Sequence, residues 1–366
     1  MRARLRLLSS APLFLALIGA ACGGDSGGSK TAIDGGAPAT PTLVASADGR
    51  VVPLCAALTG AAPASKNFPA SSDPAKNIPE AQRNKVNVVV AGLDFYVGGE
   101  NNFVFGVTDK KDEPQGGAKV RATLYDLKDP SNPKPYCQGE AVQSAPGVGK
   151  VVDHTHGDGS VHKHGGQDDS RVAYYLRVKF DHAGFWGVAA EAILKDGTKG
   201  TASVGFEVAA KPGIPAPGMA ALKSDNLTKE DVANVSEIDS GVPPNDLHDV
   251  KIKDAITAGR PLVVVFSTPA FCVSRFCGPV TEEVETLHDK YKDKVDFVHI
   301  EIWRDFKKQE LNATAKEWLT RSDGSLTEPY VYIIDKNGVI YDRFEGPTAN
   351  NILEPEVLAV AAGKTY

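Results

Sequence analysis

This 366-residue chain lacks an excess of positive charge: 40 lysines and arginines face 46 aspartates and glutamates, for a formal net charge of -6. Nucleic acid is not a predicted partner, because its phosphates are met by clustered basic charge. The chain also lacks an N-terminal apolar run long enough to cross a bilayer. Leu13 to Ile18 falls well short of the roughly 20 residues a spanning helix needs. Cysteine is scarce, at five residues. The rest is ordinary for a soluble globular protein, 42% hydrophobic and 23% charged. The length exceeds what one core usually organises, so two domains are expected.

What is present begins at the N-terminus. Arg2, Arg4 and Arg6 form a basic region ahead of the short apolar stretch, and Gly19-Ala20-Ala21 puts small residues before Cys22. The pattern resembles a bacterial lipoprotein signal with its lipobox, with Gly19 where a large aliphatic residue is usual. That resemblance implies a signal peptide at 1–22, lipidation of Cys22 and an extracytoplasmic chain lipid-anchored to the bacterial cell membrane. Plain secretion with cleavage nearby is the alternative. Cys55, Cys137, Cys272 and Cys277 remain, an even number in a compartment where disulfides persist. Cys272 and Cys277 are the obvious local pair. Cys55 and Cys137 are left as a structural disulfide or as two unpaired thiols.

Residues 23–84 are rich in Gly, Ala, Ser, Pro and Asp, with no sustained period, and read as a flexible tether. Residues 85–209 read as β structure. Val172, Tyr174, Leu176, Val178 and Phe180 alternate with Ala173, Tyr175, Arg177 and Lys179, and the same period recurs at 120–125, 186–194 and 202–208. Short strands with turns between them predict an antiparallel β-sandwich of immunoglobulin-like type. Proline punctuates a linker at 210–244, where Asp225 to Ile238 could hold a short helix. Residues 245–366 alternate strand and helix and predict an α/β domain. Its helices are expected at 249–258, after the cysteines to about Tyr291, at 311–319 and from about Pro355 to Ala362. Its strands are expected at 261–266, 295–302, 330–334 and 339–344.

The segment Thr268-Pro-Ala-Phe-Cys272-Val-Ser-Arg-Phe-Cys277-Gly-Pro279 follows the buried run Val263-Val264-Val265 and precedes a helical pattern. Peptide dipoles at a helix start lower a nearby thiol pKa. This order, with Glu328-Pro329 before a later strand, resembles the thioredoxin-like fold over roughly residues 245–366. The resemblance implies that Pro329 is a cis-proline lying against the disulfide and orienting substrate backbone.

The spacing departs from that family, which has two residues between its cysteines where this chain has four. Five residues of helix turn through about 500°, leaving the side chains about 140° apart. At least one cysteine must therefore lie ahead of the regular helix. Either Cys272 stands at the helix start as nucleophile with Cys277 resolving, or the helix starts at Pro279 with Glu282 and Glu283 in its first turn. In the second case Cys277 is the more activated thiol. The family's buried aspartate is Val265 here, and its aromatic residue before the first cysteine is Phe271. Glu328 would raise a nearby thiol and Arg275 would lower it. Thr and Pro ahead of a cysteine also resemble peroxiredoxins, but Thr268 lies four residues before Cys272 where that family's motif has three, so a peroxidase is not expected. The pair reads as a redox dithiol, a structural disulfide or a metal-binding thiol pair.

Four of the eight histidines, His154, His156, His162 and His164, fall within eleven residues among Gly and Asp. Imidazoles in such a loop suit copper or zinc; the alternatives are a solvated loop or a pH switch. His182, His248, His288 and His299 are expected in ordinary surface or capping roles.

Three functions follow. The first is a membrane-anchored thiol–disulfide oxidoreductase acting on protein thiols or disulfides through Cys272, Cys277 and Pro329, with no cofactor required. The second is a copper- or zinc-handling protein using the histidine loop and the dithiol, with His299 as a possible distant ligand. The third is a binding lipoprotein whose disulfide is structural.

Overall fold

The computed structural model describes residues 50–58, 67–69, 85–148, 152–155, 161–164, 171–272 and 275–366. The expected signal peptide at 1–22 with Cys22, and His156, lie outside the described residues. So does most of the 23–84 tether. The described residues belong to one compact unit.

Ten strands come first: β1 (Val86–Val90), β2 (Asn101–Asp109), β3 (Lys119–Asp126), β4 (Lys134–Glu140), β5 (Val142–Ser144), β6 (Val152–Thr155), β7 (Val161–His164), β8 (Ala173–Val178), β9 (Gly184–Ile193) and β10 (Lys199–Val208). They form antiparallel sheets in the orders β1-β2-β8-β5 and β10-β9-β3-β4, with β6-β7 as a separate hairpin. The two-residue period sends Phe103, Phe105, Tyr174 and Leu176 of the first sheet onto Leu124, Trp186, Val188 and Phe206 of the second. Each such side chain contributes about 2 kcal/mol of burial.

The other face of the first sheet is buried as well. Val104, Ala173 and Tyr175 join a second core with Val263, Val265, Val331 and Phe344 of the C-terminal region. This explains why β8 is buried at every position.

The C-terminal region holds α1 (Ile252–Ala258), β11 (Leu262–Ser267), α2 (Cys277–Tyr291), β12 (Asp296–Glu301), β13 (Trp303–Asp305), β14 (Glu310–Leu311), α3 (Ala313–Leu319), β15 (Tyr330–Ile334), β16 (Ile340–Glu345) and α4 (Asn350–Ala361). Its sheet runs β12-β11-β15-β16, with β11 and β12 parallel and the other pairs antiparallel. α2 and α4 cover the face turned to the sandwich, and α1 and α3 cover the other. Gly259 ends α1 in the left-handed conformation (φ 69°), where a Cβ would be strained.

Several sequence expectations need correction. Residues 50–58 are not free tether. Arg50 pairs with Asp342 at 2.9 Å, and Cys55 is disulfide-bonded to Cys137 of β4. α4 begins at Asn350 rather than Pro355. Its first N–H groups are satisfied from elsewhere: Ala349 N–H donates to Ser144 Oγ and Asn350 N–H to Glu283. The stretch 225–238 holds two short 3₁₀ turns, Lys229–Asp231 and Val235–Glu237, each closed by a capping box.

Candidate functional site

β11 is apolar from Leu262 to Phe266 and buried throughout, so it runs through the middle of the sheet and ends at Ser267. The chain then turns outward. Phe271 N–H donates to Thr268 O and Ala270 N–H to Ser240 Oγ. Cys272 lies in this loop and is partly exposed, while Cys277 is the first residue of α2 and fully buried. The helix therefore starts at neither Cys272 nor Pro279. Glu283 is not a first-turn acid of α2; its carboxylate accepts from Gly147 N–H and Asn350 N–H.

Cys272 and Cys277 are disulfide-bonded, with their Cα atoms 5.9 Å apart. The backbone N–H of Cys277 donates to Cys272 Sγ at 3.3 Å. When the bond opens, this donor at a helix N-terminus favours a thiolate on Cys272 over one on Cys277. Glu328 opposes it, since its carboxylate and both sulfurs lie within 4.8 Å of one another. Only the reduced pair would present both sulfurs of this triad to a metal. The Glu328–Pro329 peptide is cis, and Pro329 leads directly into β15. Arg275 precedes α2 with φ 63°.

Phe271, 41% exposed, stacks on Phe306 at 4.6 Å, and Trp303 meets the same ring edge-on at 5.6 Å. An aromatic surface thus borders the accessible cysteine.

Beneath the pair lies a buried polar network. Asp239 accepts from Gly241 N–H and Asn245 N–H, both at 2.7 Å, and from His248 Nε2 at 3.1 Å. His299 Nδ1 is 2.8 Å from Asn245 Nδ2 and 3.6 Å from Asp239. Its Nε2 is 2.8 Å from Ser267 Oγ. Burial alone would raise the Asp239 carboxyl, but His299 and His248 hold it well below the ordinary carboxylate range. Burial lowers His248, against the pull of Asp239. Burial also lowers His299, yet the charge of Asp239 and its hydrogen bond outweigh this and raise it overall.

These three groups are near enough to share an ion, but their donor atoms are spent on one another and on neighbouring amides and hydroxyls. His299 does not join the cysteines as a distant ligand. The expectation of ordinary surface or capping roles fails for His248 and His299, which are buried in this network. His182 stacks on Trp186 at 4.4 Å.

The other sequence candidates lie elsewhere. In the β6-β7 hairpin His154 pairs with His162 and Val152 with His164.

Two solved structures align with part of the chain. A thiol:disulfide interchange protein of the thioredoxin family from Chlorobium tepidum TLS is 14% identical, with a TM-score of 0.25, over 41% of this chain and 97% of its own. A thioredoxin-like protein in its oxidized form is 15% identical, with a TM-score of 0.22, over 42% of this chain and 97% of its own. No protein-family model and no curated protein matches the chain.

Sequence reasoning passed over Ser267, Asp239, Asn245, Phe306 and Trp303. One signal was available. His299 lies two residues before the end of an apolar strand, in parallel register with Val265, where an imidazole must be buried.

Proposed function

We propose that this protein is an extracytoplasmic thiol–disulfide exchange protein, anchored to the membrane through Cys22 and acting on protein thiols or disulfides. One observation carries the reading: the sulfur of Cys272, a partly exposed residue, receives the helix-start N–H of the fully buried Cys277.

In the reduced form the Cys272 thiolate attacks one sulfur of a substrate disulfide, and the other substrate sulfur leaves with the electron pair and takes a proton from water. Cys277 then gives up its proton and attacks Cys272. The mixed disulfide breaks, the second substrate thiol is released, and the dithiol ends oxidised by two electrons. Pro329 orients substrate backbone. Cys277→Ser should trap mixed disulfides through Cys272, whereas Cys272→Ser should trap few. A pair that resists reduction by glutathione and traps nothing in Cys277→Ser would sink the reading.

A second reading concerns the β6-β7 hairpin, whose register sets His154 opposite His162 with His164 two residues on. Copper or zinc held there would survive dialysis and be lost when His154, His156, His162 and His164 are replaced by Ala. Unchanged metal content would exclude the hairpin as its site.

A further inference from the structure

The buried network is connected to the redox pair. Three hydrogen bonds, none longer than 2.8 Å, run from His299 Nε2 to Ser267 Oγ, on to Thr281 Oγ1, and from there to the carbonyl oxygen of Cys277. Their direction is forced from the far end. A carbonyl only accepts, so the Thr281 hydroxyl donates to it. Ser267 must then donate to Thr281, and His299 Nε2–H must donate to Ser267.

The near end is also fixed. Leu247 N–H donates to Asn245 Oδ1, which leaves the Asn245 amide nitrogen to donate to His299 Nδ1. This is the arrangement of a neutral imidazole. A second proton on Nδ1 would face Asp239 at 3.6 Å and require Asn245 to turn. His299 therefore has two states that differ at Asp239 and share one anchored link to the first turn of α2.

On the thiol–disulfide reading, we propose that His299, acting through Ser267 and Thr281, is the positioning residue that ties the reactivity of the Cys277 thiol to pH. The chain of hydrogen bonds ends on a carbonyl oxygen and not on sulfur, so it relays no proton from the thiol. His299 acts by holding the first turn of α2 and by its charge. A cationic His299 favours the Cys277 thiolate, and that thiolate is what attacks Cys272 in the resolving step. The proton lost by Cys277 goes to water, and the departing substrate sulfur takes one up.

The groups that bear on His299 are accounted for by element. Asp239 reaches it from the linker, His248 from the segment just ahead of α1, and Glu301 acts from its own strand. β11 and α2 present the hydroxyls of Ser267 and Thr281. The net upward push on His299 keeps the cation present beyond the ordinary histidine range. His299 stands on the neighbouring strand, in parallel register with Val265.

The test uses the full chain with Cys22→Ser, the Cys272–Cys277 pair reduced and Cys55–Cys137 left closed. Reaction with 5,5′-dithiobis(2-nitrobenzoate) releases one coloured thiolate when Cys272 attacks and a second when Cys277 resolves. The rate of the second release from pH 5 to 8 should show an inflection that His299→Gln removes and that Thr281→Val, which cuts the link but keeps the imidazole, weakens. At pH 6 each variant should resolve about tenfold more slowly, equivalent to a one-unit rise in thiol pKa, while the first release changes less. Thr281→Val keeps the side-chain shape, so it remains informative if His299→Gln does not fold. Folded variants that retain the wild-type pH profile would overturn the proposal. A wild-type chain with no second release at any pH would overturn the exchange reading and this proposal with it.

Discussion

The two disulfides have similar reach, with Cα separations of 5.5 Å and 5.9 Å, and opposite settings. Cys55–Cys137 joins residues 82 apart. Backbone bonds flank it: Cys55 N–H donates to Arg177 O, and Ala56 and Gln138 exchange a pair. Cys137 is buried in the sandwich core. Cys272–Cys277 spans five residues, with one sulfur in a partly exposed loop and a helix-start N–H aimed at it. The same covalent bond closes a long chain in one place and leaves a sulfur within reach of a partner in the other.

The largest effect should fall on the long loop. By loop-closure entropy, Cys55→Ala with Cys137→Ala should lower the unfolding free energy by about 4.5 kcal/mol, and Cys272→Ala with Cys277→Ala by only about 2 kcal/mol. Urea unfolding of the two double variants measures both. Equal losses would erase the distinction between a bond that ties the chain and one that serves chemistry.

On the Cys55 side a pH effect of about 2 kcal/mol should appear. Arg50, which anchors this segment, lies 2.9 Å from Asp342 and 3.8 Å from Glu356. Burial raises Glu356, Asp342 raises it further and Arg50 pulls it down, with a net value of about 7. The folded value lies above the ordinary 4.5, so the folded chain holds this proton more tightly than the unfolded one. The contribution is complete below about pH 4.5 and is lost as pH rises through about 7. Glu356→Gln should flatten that part of the stability curve between pH 4.5 and 8. A variant curve parallel to the wild type would remove Glu356 from the account.

The two regions also differ in how far the sequence revealed them. The alternation at 172–180 was plain, and it predicted a strand. It did not show that Tyr175 on the opposite face is buried too, its hydroxyl donating to Glu345 O at 2.7 Å. Period-two patterning reports which residues share a face, not what covers each face. Position alone marked Cys272 and Cys277, because a buried strand running into a helix start is a local pattern. The Asp239–His299 network was invisible for the opposite reason. Its members come from the linker, the segment ahead of α1, β11, β12 and α2, and Asp239 and His299 are 60 positions apart in sequence. The start of α4 was misplaced on the same ground, since its caps come from Ser144 and Glu283.

The smallest predicted effect bears on the redox side alone. Glu328 shares a sphere of 4.8 Å with both sulfurs, and a carboxylate there disfavours a thiolate while Cys277 N–H favours one. Glu328→Gln keeps the size and removes the charge. The thiol pKa should fall by about one unit, so alkylation of the reduced pair by iodoacetamide at pH 6 should run about tenfold faster. The same stabilisation of the reduced form should raise the potential of the pair by up to about 30 mV, because a tenfold change in a two-electron equilibrium corresponds to that shift. Rate and potential share one cause and should move together. A variant that alkylates at the wild-type rate would mean that the helix-start donor alone sets the reactivity of Cys272.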